Sequence, residues 1–142
     1  MFDHCMYFNT TALARLLERA WTTAFADFEL TPPQAFMLRL VLDRPGLSQR
    51  ELAEAMTIAR PTATRVLDGL EARRLIRRRA GDADAREQRI HPTADAEAIR
   101  DGLNAASGQV TRRLKALLGP QVFEQTVSKI RAVRTAIGDD AA

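Results

Sequence analysis

Hydrophobic residues recur three or four positions apart along most of this chain, and that period predicts a largely helical protein. The first such segment spans residues 10–28, with apolar positions at Leu13, Leu17, Ala20, Trp21, Ala24 and Phe28. A second helix should begin where Thr31 can cap the helix and Pro32 suits its first position. Pro45 and Gly46 are expected to end it.

Two shorter helices are predicted in the middle of the chain. Ser48 and Glu51 have the spacing of a capping box, so a third helix should begin there. The fourth helix, at residues 60–73, has an apolar side formed by Ala63, Val66, Leu67 and Leu70. Its opposite side is polar and compact, which suits the floor of a DNA major groove. That side carries Pro61, Arg65 and Asp68, and Thr62 and Thr64 flank it.

A β-hairpin is predicted after the fourth helix. Residues 75–79 and 86–91 should form two short strands, because the Gly and Asp residues between them supply turn chemistry. Five arginines fall within residues 73–79, and since side chains alternate along a strand, only some of them can face DNA. Three helices, a recognition-type helix and a hairpin together predict a winged helix-turn-helix.

The last third of the chain predicts two more helices. Thr93 can cap a long one, whose apolar residues approach the spacing of a coiled-coil seam: Ile99, Leu103, Ala106, Val110, Leu114 and Leu117. Gly119 and Pro120 interrupt it, and a final helix follows with Phe123, Val127, Ile130, Val133 and Ile137 on one side. A domain of this size cannot easily bury such stripes alone, so both ends of the chain are expected to pair with a second copy.

Composition narrows the class of protein. A hydrophobic fraction of 46% supports a real core. The arginine-rich, lysine-poor balance, with a pI of about 9.7, favours a partner that offers phosphates. Cys5 is the single cysteine, which excludes an internal disulfide framework. No apolar run approaches membrane-spanning length and no basic signal region opens the chain, so a soluble, cytoplasmic protein without a membrane partner is expected.

Three sequence pieces, in this order and spacing, resemble the multiple-antibiotic-resistance-repressor (MarR) family of bacterial transcription regulators. The first is Leu-Thr-Pro-Pro-Gln at residues 30–34, and the second is the recognition helix at residues 60–65 with Leu-Glu-Ala-Arg at residues 70–73. The third is Asp-Ala-Arg at residues 84–86, shortly before Pro92 and Thr93. The resemblance covers essentially the whole chain. Departures include Pro92 for the usual Leu, Ala96 for a common Gly, and Ala59 where Ser often caps the recognition helix.

This resemblance implies a mostly α (α+β) chain, 1–142, in which residues 31–93 form the winged helix-turn-helix. Residues 1–30 and 94–142 would supply the helices of a dimerisation domain. It also implies a homodimer that binds double-stranded DNA at a short, pseudo-palindromic operator and represses transcription. Many members release DNA when a small aromatic or phenolic effector binds, and others respond to cysteine oxidation.

The candidate DNA-binding residues lie on the fourth helix and the hairpin: Arg60, Pro61, Thr62, Thr64, Arg65, Arg77, Arg78, Asp84 and Arg86. Those on the helix would contact phosphates and base edges in the major groove. Arg77 and Arg78 are assigned to phosphates. Arg86 would enter the minor groove at the wing tip, with Asp84 orienting the wing through an ion pair. Asp68 is expected to pair with a nearby arginine.

The aromatic residues concentrate in the first quarter of the chain, where they serve core and dimer packing or line an effector pocket. The candidate pocket residues are Tyr7, Phe8, Trp21 and Phe36. Residues 37–122, which include the basic region, contain no aromatic residue, and this argues against single-stranded RNA as the ligand.

Two alternative functions stay open at this stage: a thiol-based redox regulator that acts through Cys5, and a winged-helix module for protein interaction. His4, His91 and Cys5 do not make a convincing metal cluster by themselves, so no metal or cofactor is predicted. Because the chain has no nucleophile–base pair and no phosphate-cradling glycine loop, an enzyme is not expected either.

Overall fold

The computed structural model describes residues 1–83 and 86–141, and its architecture is mostly helical with one small sheet. The elements are α1 (Met6–Phe25), a 3₁₀ turn (Ala26–Phe28), α2 (Pro32–Asp43), β1 (Leu47–Ser48), α3 (Gln49–Met56), α4 (Arg60–Ala72), β2 (Ile76–Ala80), β3 (Gln88–Pro92), α5 (Ala94–Leu118) and α6 (Pro120–Ala141). This order confirms the predicted mostly α (α+β) winged helix-turn-helix.

Four helix starts show how closely the local sequence sets these elements. Thr31 and Gln34 form a reciprocal capping box at α2, and Ser48 and Glu51 form the predicted one at α3. Thr93 Oγ1 accepts a hydrogen bond from the Ala96 amide at the start of α5. The fourth start, at α4, has Ala59 in the N-cap position and no side-chain cap.

The chain divides into two compact units, and residues 1–107 form the first. Its core centres on α2, where Met37, Leu38 and Val41 are fully buried. α1 contributes Phe25, which is also fully buried, whereas the predicted position Leu13 is exposed. The apolar side of α4 is confirmed, because Ala63, Leu67 and Leu70 are all inaccessible to solvent and Val66 packs against the core.

The sheet has three antiparallel strands in the order β1-β3-β2. The hairpin of β2 and β3 lies one or two residues from its predicted position, and Arg78 faces Ile90 across it. β1 was not predicted, because two residues carry no readable alternation. Gly46 adopts φ 89° just before it and donates its amide to the Ile90 carbonyl, at 2.8 Å, so glycine's freedom allows the chain to join β3 there.

The boundaries of α1 differ from the prediction at both ends. The helix begins at Met6, four residues earlier than expected, because Cys5 Sγ accepts the Phe8 amide as an N-cap. The Asn9 side chain also donates to the Cys5 carbonyl. At the other end the α-helix stops at Phe25, and Phe28 lies in the 3₁₀ turn, which Glu29 ends with a left-handed φ of 55°.

The second unit is residues 108–142, which contains the end of α5 and the whole of α6, and both carry exposed apolar side chains. Gly119 separates the helices at φ 86°, and Pro120 opens α6, as the sequence predicted. Within this unit the Lys115 ammonium lies 5.4 Å from the centroid of the Phe123 ring. Several large apolar side chains remain exposed: Leu117, Val122, Val127, Ile130 and Ile137. Among the described helices of the chain, none is long and apolar enough to span a bilayer.

Candidate nucleic-acid interface

The recognition helix α4 presents a compact polar side to solvent. Arg60, Pro61 and Arg65 are exposed, while the opposite side of the helix is buried. A Cβ added to Gly69 would lie 2.9 Å from Gln34 Nε2, so α4 sits very close to the start of α2. Because this packing fixes the position of α4, the backbone of its exposed arginines is held in place.

The two threonines of α4 flank its exposed side, and both are half-buried. Thr64 is half-buried, donates its hydroxyl to the Arg60 carbonyl at 3.0 Å, and accepts a hydrogen bond from Gln49 Nε2 of α3. Thr62 is half-buried too and accepts a long bond from Arg65 Nη2, at 3.5 Å. Thr64 therefore joins α3 to α4, and Thr62 lies beside the Arg65 guanidinium.

The arginines of β2 alternate between two faces, as the strand period requires. Arg77 and Arg79 are exposed. Arg78 lies on the other face, keeps only 15% of its side chain exposed, and forms ion pairs with Asp68 at 2.9 Å and Glu71 at 2.7 Å. The expected pairing of Asp68 with a nearby arginine is confirmed. Arg78 has two carboxylate partners on α4 because its strand position points it inward, and the phosphate contact assigned to it from the sequence stays a prediction.

The wing tip is described only in part. Arg86 is exposed at the end of the hairpin, and the Gly81 amide donates to the Glu87 carbonyl at 2.7 Å. Asp84, which was predicted to orient the wing, lies outside the described residues.

Near the turn of the hairpin, Arg89 of β3 donates hydrogen bonds to Glu51 of α3, to Glu87 and to the Gly46 carbonyl. Hydrogen bonds from the Ser48 amide and hydroxyl lower the pKa of the Glu51 carboxyl, and the nearby Arg89 charge lowers it further. Arg89 and Glu51 therefore tie the hairpin to α3.

Arg73 has a role that the sequence did not reveal. It follows α4 directly and donates from one guanidinium nitrogen to the Glu29 carbonyl and from another to the Phe28 carbonyl, the latter at 2.9 Å. These bonds fasten the end of the recognition helix to the 3₁₀ turn after α1. They join residues 44 and 45 positions apart, so no local pattern could have indicated them.

A cavity of about 390 Å³ lies between α2, α3 and α5 in the first unit. Its lining includes Phe36, Arg39, Met56, Arg100 and Asn104. The Arg39 guanidinium stacks 5.1 Å from the centroid of the Phe36 ring and donates to Asn104 Oδ1 at 2.8 Å. Burial lowers the pKa of Arg39. The Glu97 carboxylate raises the pKa of Arg100 through a hydrogen bond. The cavity thus combines aromatic and thioether surface with two arginines.

The four aromatic residues predicted for an effector pocket separate into two pairs. Trp21 and Phe36 lie together, with ring centroids 6.4 Å apart, and Trp21 Nε1 donates to Ser107 Oγ. Tyr7 and Phe8 are exposed near the start of α1, where Phe8 packs on Phe2 at 5.3 Å. Only Phe36 of the four lines the cavity; the arginines that line it went unnoticed in the sequence.

The Cys5 thiol is exposed at the start of α1. Among the residues that the structure describes, no three His, Cys, Asp or Glu side chains group in a way that could hold a metal ion.

Comparisons with known proteins agree with this geometry. A model described as the MarR family matches residues 28–87. The transcriptional regulator HosA of Escherichia coli O111:H- is 37% identical over 71 residues, which are 50% of this chain and 53% of HosA. The chain thus spans about half the length of this curated relative.

Two solved structures share the fold over nearly the whole chain. The transcriptional repressor CouR, bound to a 23-mer DNA duplex, has a TM-score of 0.82 and 26% identity over 94% of both chains. BpsR of Bordetella bronchiseptica, whose structure describes regulation of its DNA binding by 6-hydroxynicotinic acid, has a TM-score of 0.87 and 21% identity over 94% of this chain and 96% of its own. The winged helix, and a family model that spans its recognition helix, make this chain similar to regulators of the MarR family.

Proposed function

We propose that this protein is a sequence-specific, DNA-binding transcription regulator that acts in the cytoplasm as a homodimeric repressor on a pseudo-palindromic operator. The observation that carries the proposal is the exposed side of α4, where Arg60 and Arg65 are offered on a rigidly packed helix. Exposed Arg77 and Arg86 extend the positive surface along the hairpin. Its similarity to regulators of the MarR family supports the same role.

Each exposed side chain has a chemistry that suits one part of a DNA duplex. Arg65 carries the planar fork that reads guanine in the major groove, and Thr62 beside it can hold the guanidinium in place. Arg60 and Pro61 begin the helix and would lie near the phosphate backbone, with Arg77 on a second phosphate. Arg86 would enter the minor groove, with Asp84 orienting the wing. Thr64 would act indirectly by holding α4 against α3.

A second copy of the chain is the partner proposed for the exposed apolar side chains at both ends. Tyr7 and Leu16 are exposed on α1, and Val127, Ile130 and Ile137 are exposed on α6. Exposed apolar surface of this extent is costly in water and is typical of an interface. Two-fold pairing would place two copies of α4 on one face of a duplex, which a palindromic operator matches.

An aromatic carboxylate is the effector class that the cavity between α2, α3 and α5 suits best. Phe36 and Met56 offer an apolar wall for a ring, and Arg39 is a partly buried cation that a carboxylate would stabilise. BpsR, which has this fold, is regulated by 6-hydroxynicotinic acid. Since the cavity lies against α3, which holds α4 through Gln49, a bound ligand could shift the recognition helix.

Sequencing DNA fragments that the purified protein selects tests the main proposal. We expect an inverted repeat with half-site centres about 10 bp apart, bound by a dimer in sedimentation experiments. Arg65→Ala should reduce binding to that site far more than to random DNA, because a bidentate base contact contributes about 1–3 kcal/mol of discrimination. Selection of no common sequence, or equal losses on both DNAs, would refute base readout by α4.

The effector proposal has its own test. Aromatic carboxylates should raise the melting temperature of the wild type and release its DNA, whereas their methyl esters should do neither. Arg39→Met should abolish the response, while Arg44→Met, on an exposed residue of the same region, should retain it. A response that survives Arg39→Met would place the ligand elsewhere.

A further inference from the structure

Arg78 differs from its neighbours on β2 in the direction of its side chain. It shares a strand face with Ile76, which is buried, whereas Arg77 and Arg79 lie on the opposite, exposed face. Across the hairpin it stands opposite Ile90, another fully buried residue. The guanidinium therefore emerges from the inner face of the sheet, toward α4.

Two carboxylates of α4 receive that guanidinium. Asp68 and Glu71 stand three residues apart, so they lie on one side of the helix. Both keep much of their surface in solvent, with side-chain exposures of 61% for Asp68 and 45% for Glu71. Arg78 Nη2 contacts the former at 2.9 Å and Nη1 contacts the latter at 2.7 Å. One cation is thus shared between two anions on the recognition helix.

The position of these carboxylates gives the contact a consequence for DNA binding. Asp68 lies one turn after Arg65, on the polar side of the helix that is offered to the major groove. An unpaired carboxylate there would face DNA phosphates and repel them, and two would do so more strongly. The Arg78 bridge removes one negative charge from that surface and also fixes β2 against α4, so that helix and wing meet the duplex in one arrangement.

We propose that Arg78 is a positioning residue, which acts on DNA through Asp68 and Glu71 by offsetting one of their two negative charges and locking the hairpin to the recognition helix. This inference rests on the proposed DNA binding by α4. It differs from a phosphate contact, in which the guanidinium itself would touch DNA. Arg77, one position earlier and exposed, is the matched residue for which a phosphate contact is proposed.

A cycle of variants separates the two roles, because they predict different effects of removing Arg78 once the carboxylates are neutral. Operator affinity is measured for wild type, Arg78→Ala, the pair Asp68→Asn with Glu71→Gln, and the triple variant. Arg78→Ala alone should weaken binding about tenfold, because it leaves two carboxylates near phosphates. When Asp68→Asn and Glu71→Gln are already present, adding Arg78→Ala should weaken operator binding by less than about threefold, since no carboxylate remains for Arg78 to compensate.

The opposite pattern overturns the proposal. If Arg78 touches a phosphate, Arg78→Ala lowers operator affinity threefold or more even when Asp68→Asn and Glu71→Gln are present. In that background the guanidinium is released from the two carboxylates and reaches the DNA. A loss below threefold in the wild-type background also overturns it. Arg77→Ala should weaken operator and random DNA equally in both backgrounds and reduce the salt dependence by about one ion.

Two further arms keep the outcome interpretable. Arg78→Met, which retains an apolar stem for packing beside Ile76, replaces Arg78→Ala in the cycle if the latter unfolds, as monitored by circular dichroism. Arg65→Ala is run in parallel. Full operator affinity of the Arg65→Ala variant would refute the proposed DNA binding by α4. If Arg65→Ala lowers operator affinity but Arg78→Ala has the same effect with and without the two carboxylates, only the Arg78 inference is refuted.

Discussion

Ala59 occupies the N-cap of the recognition helix, and replacing it with serine should stabilise the protein. Its backbone angles, φ −67° and ψ 150°, nearly match those of Thr31 (−71°, 158°) and Ser48 (−72°, 162°), whose hydroxyls cap α2 and α3. A serine hydroxyl at position 59 would therefore lie where it can accept the amide of Thr62, the third residue of α4. Pro61 has no amide to offer, so one bond is gained.

The magnitude follows from the measured value of such caps, about 1 kcal/mol. For a chain of this length that corresponds to a rise in melting temperature of about 3 °C. Urea unfolding at a fixed protein concentration should show a higher midpoint with an unchanged slope. Ala59→Val, whose side chain has no hydrogen-bond acceptor, is the control. Thr31→Ala should lower the free energy of unfolding by about as much as Ala59→Ser raises it. Equal midpoints for the serine and valine variants would refute the capping argument.

Three further predictions concern the wing, the C-terminal helices and acid stability. Arg86→Ala should reduce affinity mainly on operators with A·T-rich flanks, where a narrow minor groove attracts the guanidinium; equal losses on G·C flanks would exclude that groove. Removing everything after Gly119 should give aggregated or unfolded protein, and a soluble monomer that binds DNA fully would defeat dimerisation through α6. The pKa of Glu51 is lowered in the folded state, so its contribution to stability is present above its ordinary pKa and is lost as the pH falls through the folded value. In Glu51→Gln the urea midpoint should therefore fall less steeply as the pH is lowered than it does in the wild type. An identical fall in both proteins would contradict this linkage.

Local sequence determined the helices well, because helix starts depend on residues three positions apart. Thr31 and Ser48 were recognisable as caps, and the apolar period of α4 correctly assigned its buried side. The start of α1 was missed because its cap is Cys5, a residue type that seldom serves as one. β1 was missed because its pairing with β3 depends on residues more than forty positions away.

The residue types of the candidate site could be predicted from the sequence, but the contacts that each side chain makes could not. The cluster of arginines after α4 was evident, yet which ones face solvent depended on the strand phase, and Ile76 and Ile90 set that phase by burying one face of the hairpin. Arg73 and Arg78 were counted with the others as positive charge. The fold instead gives the first to two backbone carbonyls and the second to two carboxylates.

These contacts hold the recognition helix from several sides, and that restraint bears on how it can be regulated. Thr64 joins it to α3, Gly69 packs against Gln34 of α2, and Arg73 fastens its end to the 3₁₀ turn. Bending α4 alone would break several of these contacts at once, whereas moving it together with α2, α3, the 3₁₀ turn and the hairpin keeps them. A signal that releases DNA should thus change the placement of this whole group of elements and leave the internal geometry of α4 intact. Hydrogen exchange with and without an effector distinguishes the two cases, because displacement as a body leaves the α4 amides protected and local bending exposes them.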